Sequence, residues 1–172
     1  KNNISIWYDE YLKNGLDAII SNTSGCGTTL KDYKFIFRSD NDFKKKAKKI
    51  SELTKDISEY LDENVKLNFI KTKANDKSYK IAYHSACSMQ HGQKIHDVPI
   101  NLIKKTGNKV LDIPDGHLCC GSAGTYNLLQ VDIAKNLLKS KVSNIQKTSP
   151  EFIATGNVGC ITQIANGTKI PI

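Results

Sequence analysis

Apolar positions along the chain follow two rhythms, short continuous runs and longer stretches in which they recur every three or four residues. Residues 4–14 (ISIWYDEYLKN) place Ile4, Trp7, Tyr8 and Tyr11 on one helical face, with Gly15 as the stop. DAII at 17–20 is too short for a helix and predicts a buried strand, followed by a turn holding Cys26 and then a helical pattern. RSDND offers several N-caps for one long amphipathic helix in which Phe43, Ala47, Ile50, Leu53, Ile57 and Leu61 recur at helical spacing. KLNFI predicts an edge strand, and KTKANDKS at 71–78 has the composition of a loop or linker.

Beyond that loop the alternation is more regular. YKIAYH (79–84), KVLDIP (109–114) and EFIAT (151–155) predict three strands. Between and after them come CSMQHGQKI as a turn and helix start, VPINLIKKTG as a helix with a glycine stop, and NVGCITQIA as a turn into a last helix. The longest helix is expected over NLLQVDIAKNLLKSKVSNIQK, with Leu128, Ile133, Leu137, Leu138, Val142 and Ile145 toward the core. Strand–helix alternation predicts an α/β fold with a parallel sheet and flanking helices, and in such sheets ligands collect at the turns that follow the strands.

An internal echo refines this picture. AIISNTSGCGTTL (18–30) and FIATGNVGCITQI (152–164) align on their cysteines without a gap, at an offset of 134 residues. Each gives a short apolar strand, a polar turn and Gly-Cys-x-Thr. The expected organisation is therefore the closing part of a first repeat at 1–40, a connecting helix and linker at 41–78, and a second, cysteine-rich domain at 79–172. The first two strands of the earlier repeat are absent, and there is no initiator Met, so the chain is expected to be a fragment of a two-repeat protein.

Composition changes the picture little. With 172 residues, 39% of them apolar and 24% charged, the chain has the makeup of a globular protein. It has no apolar run long enough to span a bilayer and no visible signal peptide, which points to a cytoplasmic location. The net charge of +8 draws heavily on FKKKAKK at 43–49, expected as a solvated helix face; without interleaved aromatic residues it argues against nucleic-acid binding. Five cysteines, an odd number at low density, fit a reducing compartment, where clustered thiols serve metal ligation or redox chemistry.

Cys87, Cys119, Cys120 and Cys160 each follow a predicted strand, so a parallel sheet would bring four thiols to one edge. Helix N-termini point at that edge and favour thiolates there. Gly121, Gly124 and Gly159 would let the backbone approach an anionic centre and donate amide hydrogen bonds to its sulfurs. Four thiolates suit either a [4Fe–4S] cluster or a structural zinc, although the tight Cys-x-x-Cys knuckles of most zinc sites are missing. Four inert buried cysteines and a thiol–disulfide couple are the remaining alternatives. His84 and His117 are candidate donors around the centre, and His91 and His96 lie nearby in sequence.

The motifs YHSACSMQHGQK, HLCCGSAGTYNLLQ, GNVGCITQI and NTSGCGTTLKDY resemble the cysteine-rich CCG-domain family over essentially the whole chain. The likeness is to its branch of glycolate oxidase iron–sulfur subunits, relatives of the heterodisulfide reductase B-type subunits. The resemblance implies an electron-transfer subunit with a [4Fe–4S] cluster on Cys87, Cys119, Cys120 and Cys160. Cys26 would belong to the equivalent site of the preceding repeat. In such proteins a flavin-bearing (FAD) partner oxidises glycolate to glyoxylate, and electrons pass toward the membrane quinone pool, which implies peripheral membrane association. Further clusters are implied in an N-terminal ferredoxin-like part. Sibling subunits serve lactate, glycerol 3-phosphate or heterodisulfide. The chain has no nucleophile or acid–base pair recognisable for glycolate chemistry, so it reads as a subunit of an oxidoreductase that would be inactive alone. One departure stands out: the family motif closes with Cys-x-x-Cys, whereas here Asn157 precedes Cys160 by three residues, as Thr23 precedes Cys26.

Overall fold

The computed structural model describes residues 1–65 and 77–172. The expected edge strand KLNFI and most of the loop after it lie outside the described residues. The chain divides into two compact units, Lys1–Val65 and Lys66–Ile172.

In the first unit, helix α1 (Asn2–Asn14) ends as expected at Gly15, whose φ of 78° is the left-handed conformation glycine tolerates. Strand β1 (Ile19–Ser21) leads into α2 (Ser24–Lys31), followed by the short α3 (Tyr33–Ile36). β1 is less buried than expected, with Ile20 exposed. The long helix expected beyond residue 42 is broken. α4 (Lys44–Leu53) stops at Thr54, residues Thr54–Asp56 form strand β2 parallel to β1, and α5 (Ile57–Asn64) starts afresh. Pairing with β1 supplies the extended segment with hydrogen bonds. Asp56 then caps α5: its carboxylate accepts from the Ser58 amide, and Glu59 accepts from the Asp56 amide. Residues 41–65, expected as a connector, thus pack within this unit. Its core is Ile4, Ala47 and Ile50, with Trp7, Tyr8 and Phe43 against them. The lysines of α4 lie over aromatic rings, Lys46 over Tyr8 and Lys49 over Tyr11, with their ammonium groups at the surface.

The second unit is built on a three-stranded parallel sheet of order β4-β3-β5, from β3 (Lys80–Tyr83), β4 (Lys109–Leu111) and β5 (Phe152–Ala154). This is the expected parallel α/β arrangement. The last residues extend it, with the Ile153 amide donating to the Pro171 carbonyl (2.8 Å). A π-helical turn, Ser88–Gln93, and α6 (Asp97–Lys105) connect β3 to β4. The long helix after β4 is again interrupted. α7 (Tyr126–Leu129) and α8 (Val131–Lys147) meet at Gln130, whose φ/ψ of −124°/58° is not helical. This break changes the face presented to the core. Leu128 is 74% exposed and Ile133 49%, against expectation, while Ala134, Leu138, Lys141, Val142 and Ile145 form the inner face. α9 (Val158–Ala165) closes the unit.

The sequence echo is also a structural one. β1–α2 and β5–α9 are both strand–helix units, with extended N-caps at Thr23 (φ −132°) and Asn157 (φ −141°) and a cysteine as the third helical residue.

Candidate metal centre

Three loops meet at the C-terminal edge of the β4-β3-β5 sheet. β3 continues through His84, whose amide donates to the Ala154 carbonyl of β5 (2.8 Å), before the chain turns at Ser85–Ala86 to Cys87. β4 runs out to Ile113, buried in the core, and Asp115 (φ 51°) turns the chain toward Cys119 and Cys120. β5 gives way to Asn157, which starts α9 and places Cys160 in its first turn. Gln90 ties two of these loops together: its side-chain amide donates to the carbonyls of Ser85 (3.0 Å) and His117 (3.3 Å).

The four expected thiols do come together, and they are not equivalent. Cys120 and Cys160 are buried, and Cys87 and Cys119 half-buried. The thiols hydrogen-bond in a row, Cys87 to Cys119, Cys119 to Cys120, and Cys120 to Cys160. Ionisation alternates along the row. Thiol hydrogen bonds from Cys120 and Cys87, reinforced by the Gly121 amide (3.3 Å to Sγ), pull Cys119 down to about 2. The Cys120 thiol, aided by nearby His84, pulls Cys160 down to about 5. Cys87 and Cys120, which donate in these bonds, are held well above the ordinary thiol range by them and by burial. The row thus pairs two sulfurs whose ionised form is favoured, Cys119 and Cys160, with two held as thiols, Cys87 and Cys120. That is the chemistry of a soft-metal site, because the thiolate is the ligating form.

His84 is 1% exposed, and its ring lies beside the Cys160 thiol, whose ionised form it favours. One ring nitrogen and the sulfurs of Cys120 and Cys160 lie within 4.8 Å of one another. A buried imidazole needs a polar partner, and the sulfurs of this centre are the groups within its reach. His117 is different: its ring is exposed, and its backbone carbonyl serves the Gln90 bridge. His91 is exposed as well. Cys26, on α2 of the other unit, is also exposed.

Two glycines fix how closely the paired cysteines approach the helices around them. At Gly121 (φ 93°) a Cβ would lie 2.4 Å from the Ala134 carbonyl oxygen of α8. At Gly159 a Cβ would lie 2.7 Å from the Ser122 hydroxyl, which would have to turn away, so the bare position lets α9 and the Cys-Cys turn lie close as they are. Asn157 is occupied structurally: its Oδ1 accepts from the Cys160 amide (3.2 Å), capping α9, while its amide group donates to the Ser88 hydroxyl (3.3 Å). The residue standing where the motif can hold a fifth cysteine therefore binds two loops of the site together.

Sequence reasoning missed Lys141 and Gln90. Lys141 is 2% exposed on the inner face of α8, and its ammonium donates to the carbonyls of Asp115 (3.0 Å) and Gly116 (3.2 Å). The available signal was its spacing: Ala134, Leu138, Lys141, Val142 and Ile145 keep one helical face, and the lysine interrupts an apolar stripe.

Residues 81–165 match the family model described as CCG, cysteine-rich domain. The whole chain is 35% identical to a glycolate oxidase iron-sulfur subunit of Escherichia coli, of which it covers 41%. It is 29% identical over 156 residues, 90% of its length, to a probable glycolate oxidase iron-sulfur subunit of Bacillus subtilis, covering 34% of that protein. It is 23% identical over 154 residues, 89% of its length, to a lactate utilization protein A of a Geobacillus species, covering 63% of it. Among the described residues no helix is long and apolar enough to cross a membrane.

Proposed function

We propose that this chain, which carries a CCG cysteine-rich domain at residues 81–165, is part of an iron–sulfur electron-transfer subunit serving a glycolate-oxidising complex. The observation that carries this reading is the row of four thiols supplied by three loops at one sheet edge. The donor set fits a thiolate-bound metal group: the ionised forms of Cys119 and Cys160 are favoured, and a buried imidazole lies beside Cys120 and Cys160. In this reading Cys87, Cys119, Cys120 and Cys160 hold a [4Fe–4S] cluster, and Cys26 belongs to the equivalent site of the preceding repeat. When bound, such a cluster supplies one-electron transfer between a flavin partner and quinone.

The chain's own residues do the rest. Burial of Cys120 and Cys160 keeps water from the sulfurs. The Gly121 amide donates to the Cys119 sulfur and stabilises its negative charge. His84 is placed to donate to the centre and so neutralise part of that charge. The similarity to glycolate oxidase subunits over the full chain favours glycolate over lactate as the fuel of the complex.

A mononuclear zinc site is the second reading, favoured by the close grouping of His84 with Cys120 and Cys160. Anaerobic purification followed by iron, zinc and acid-labile sulfide analysis separates the two. The cluster reading expects iron and sulfide in equal amounts, and serine variants of Cys87, Cys119, Cys120 or Cys160 that retain at least about tenfold less iron. Cys26→Ser should retain iron as the parent does. Zinc without sulfide would overturn the cluster.

A further inference from the structure

Lys141 is buried, 2% exposed, on the inner face of α8. No carboxylate among the described residues lies within 4.0 Å of its ammonium group. Two of its three N–H groups donate to the Asp115 and Gly116 carbonyls. The nearby Asp115 carboxylate accepts from the Asn144 amide group (3.4 Å) instead. Burial works against the charge and lowers the pKa of Lys141. The groups that favour the charged form are, in order, Cys120, Cys87 and Cys119, and only then Asp115. Buried charges persist in proteins when an opposite charge answers them, and the charge that a metal-bound turn would offer here is that of its thiolates.

The geometry gives the lysine a second job. It sits on the same face of α8 as Ala134, two helical turns away. Ala134's carbonyl abuts Gly121 at one end of the Cys-Cys turn, while Lys141 grips the carbonyls of Asp115 and Gly116 at the other. α8 thus backs the Cys-Cys turn, and its one buried lysine holds the stretch that leads into Cys119.

We infer that Lys141 is the fixed counter-charge of the thiolate-bound centre, a positioning residue that clamps the turn before Cys119 and favours the reduced, more negative state of the bound group. This role rests on the cluster reading above. Removing a positive charge beside a redox group destabilises its reduced form, so the potential must fall when the charge is lost and hold when it is kept.

The test is a redox titration of the full chain, anaerobically loaded, comparing Lys141→Met, Lys141→Gln and Lys141→Arg with the parent. For the two neutral variants the oxidised-to-reduced ratio at a fixed potential should rise at least tenfold, which for one electron is a potential lower by about 59 mV. Lys141→Arg should stay within threefold. Neutral variants with full iron and sulfide and an unchanged potential would overturn the role of Lys141 while leaving the cluster reading intact. Parent protein that holds no sulfide overturns the cluster reading itself, and this role with it. For a variant too poorly loaded to titrate, unfolding of the metal-free chain decides. Parent-like unfolding combined with lost iron supports a counter-charge. Early unfolding in step with iron loss shows a clamp alone and overturns it.

Discussion

The Gly121→Ala substitution tests how the paired cysteines are seated. At φ 93° an alanine is strained by about 1–3 kcal/mol, whatever space surrounds it. Space is also lacking, since the new methyl would lie 2.4 Å from the Ala134 oxygen and 3.2 Å from the Gln163 side-chain nitrogen. The oxygen belongs to α8, anchored in the core by Val142 and Ile145, so the turn must move and the helix stays. Forcing a methyl into such a packed contact adds about 1–3 kcal/mol. The expected total is about 2–6 kcal/mol, or about 4–20 °C in Tm for a chain of this size. Gly124→Ala is the control: its φ is also positive (63°), but a Cβ there meets nothing within 4 Å. It should show the backbone strain alone. The assay is thermal unfolding of both metal-free variants by circular dichroism, followed by iron loading. If Gly121→Ala melts no earlier than Gly124→Ala and loads iron fully, the close seat of the turn on α8 is wrong.

Two further outcomes are expected. Asn157→Ala removes the cap of α9 and should cost about 0.5–2 kcal/mol in urea unfolding, with Asn157→Ser recovering most of it; equal losses in both would discount the cap. The thiol row sets a pH dependence in the metal-free chain. Cys160, depressed to about 5 from the ordinary 9.0, stabilises fully above pH 9.0, progressively less as pH falls, and not at all below about 5. Cys119 acts in the same sense. Cys87 and Cys120, raised above 9.0, stabilise fully below that value and lose their contribution as pH rises through their folded values. Urea midpoints should therefore rise between pH 6 and pH 8, and Cys160→Ser should flatten the rise.

What the sequence made legible follows from locality. The strands of the second unit, and the placement of Cys87, Cys119, Cys120 and Cys160 just beyond them, could be read because short apolar runs and turn residues act within a few positions of themselves. The break at Thr54–Asp56 could not. Apolar spacing continues through Ile50, Leu53, Ile57 and Leu61 as if one helix held them, and the pairing that overrides it comes from Ile19–Ser21, more than thirty residues upstream. Leu128 was misplaced for a related reason, since one non-helical residue, Gln130, breaks the face that precedes it, while Ile133 lies on the outer side of the helix that starts afresh after it. Lys141 was overlooked because its side chain is held by backbone carbonyls, which carry no signature in the identity of Asp115 or Gly116. Asn157 was legible as a missing cysteine, but its work as a cap and a tie to Ser88 became visible only in three dimensions.

The order β4-β3-β5 has a consequence for how the molecule is made. β3 is synthesised first yet lies in the middle, and its two neighbours arrive later, the second only after α8 is complete. Cys87 and Cys160 are 73 residues apart in sequence. A nascent chain holding Cys87, Cys119 and Cys120 has neither the third strand of its sheet nor the helix that carries the fourth sulfur. A group held by all four sulfurs could therefore be seated only once β5 and α9 have been made.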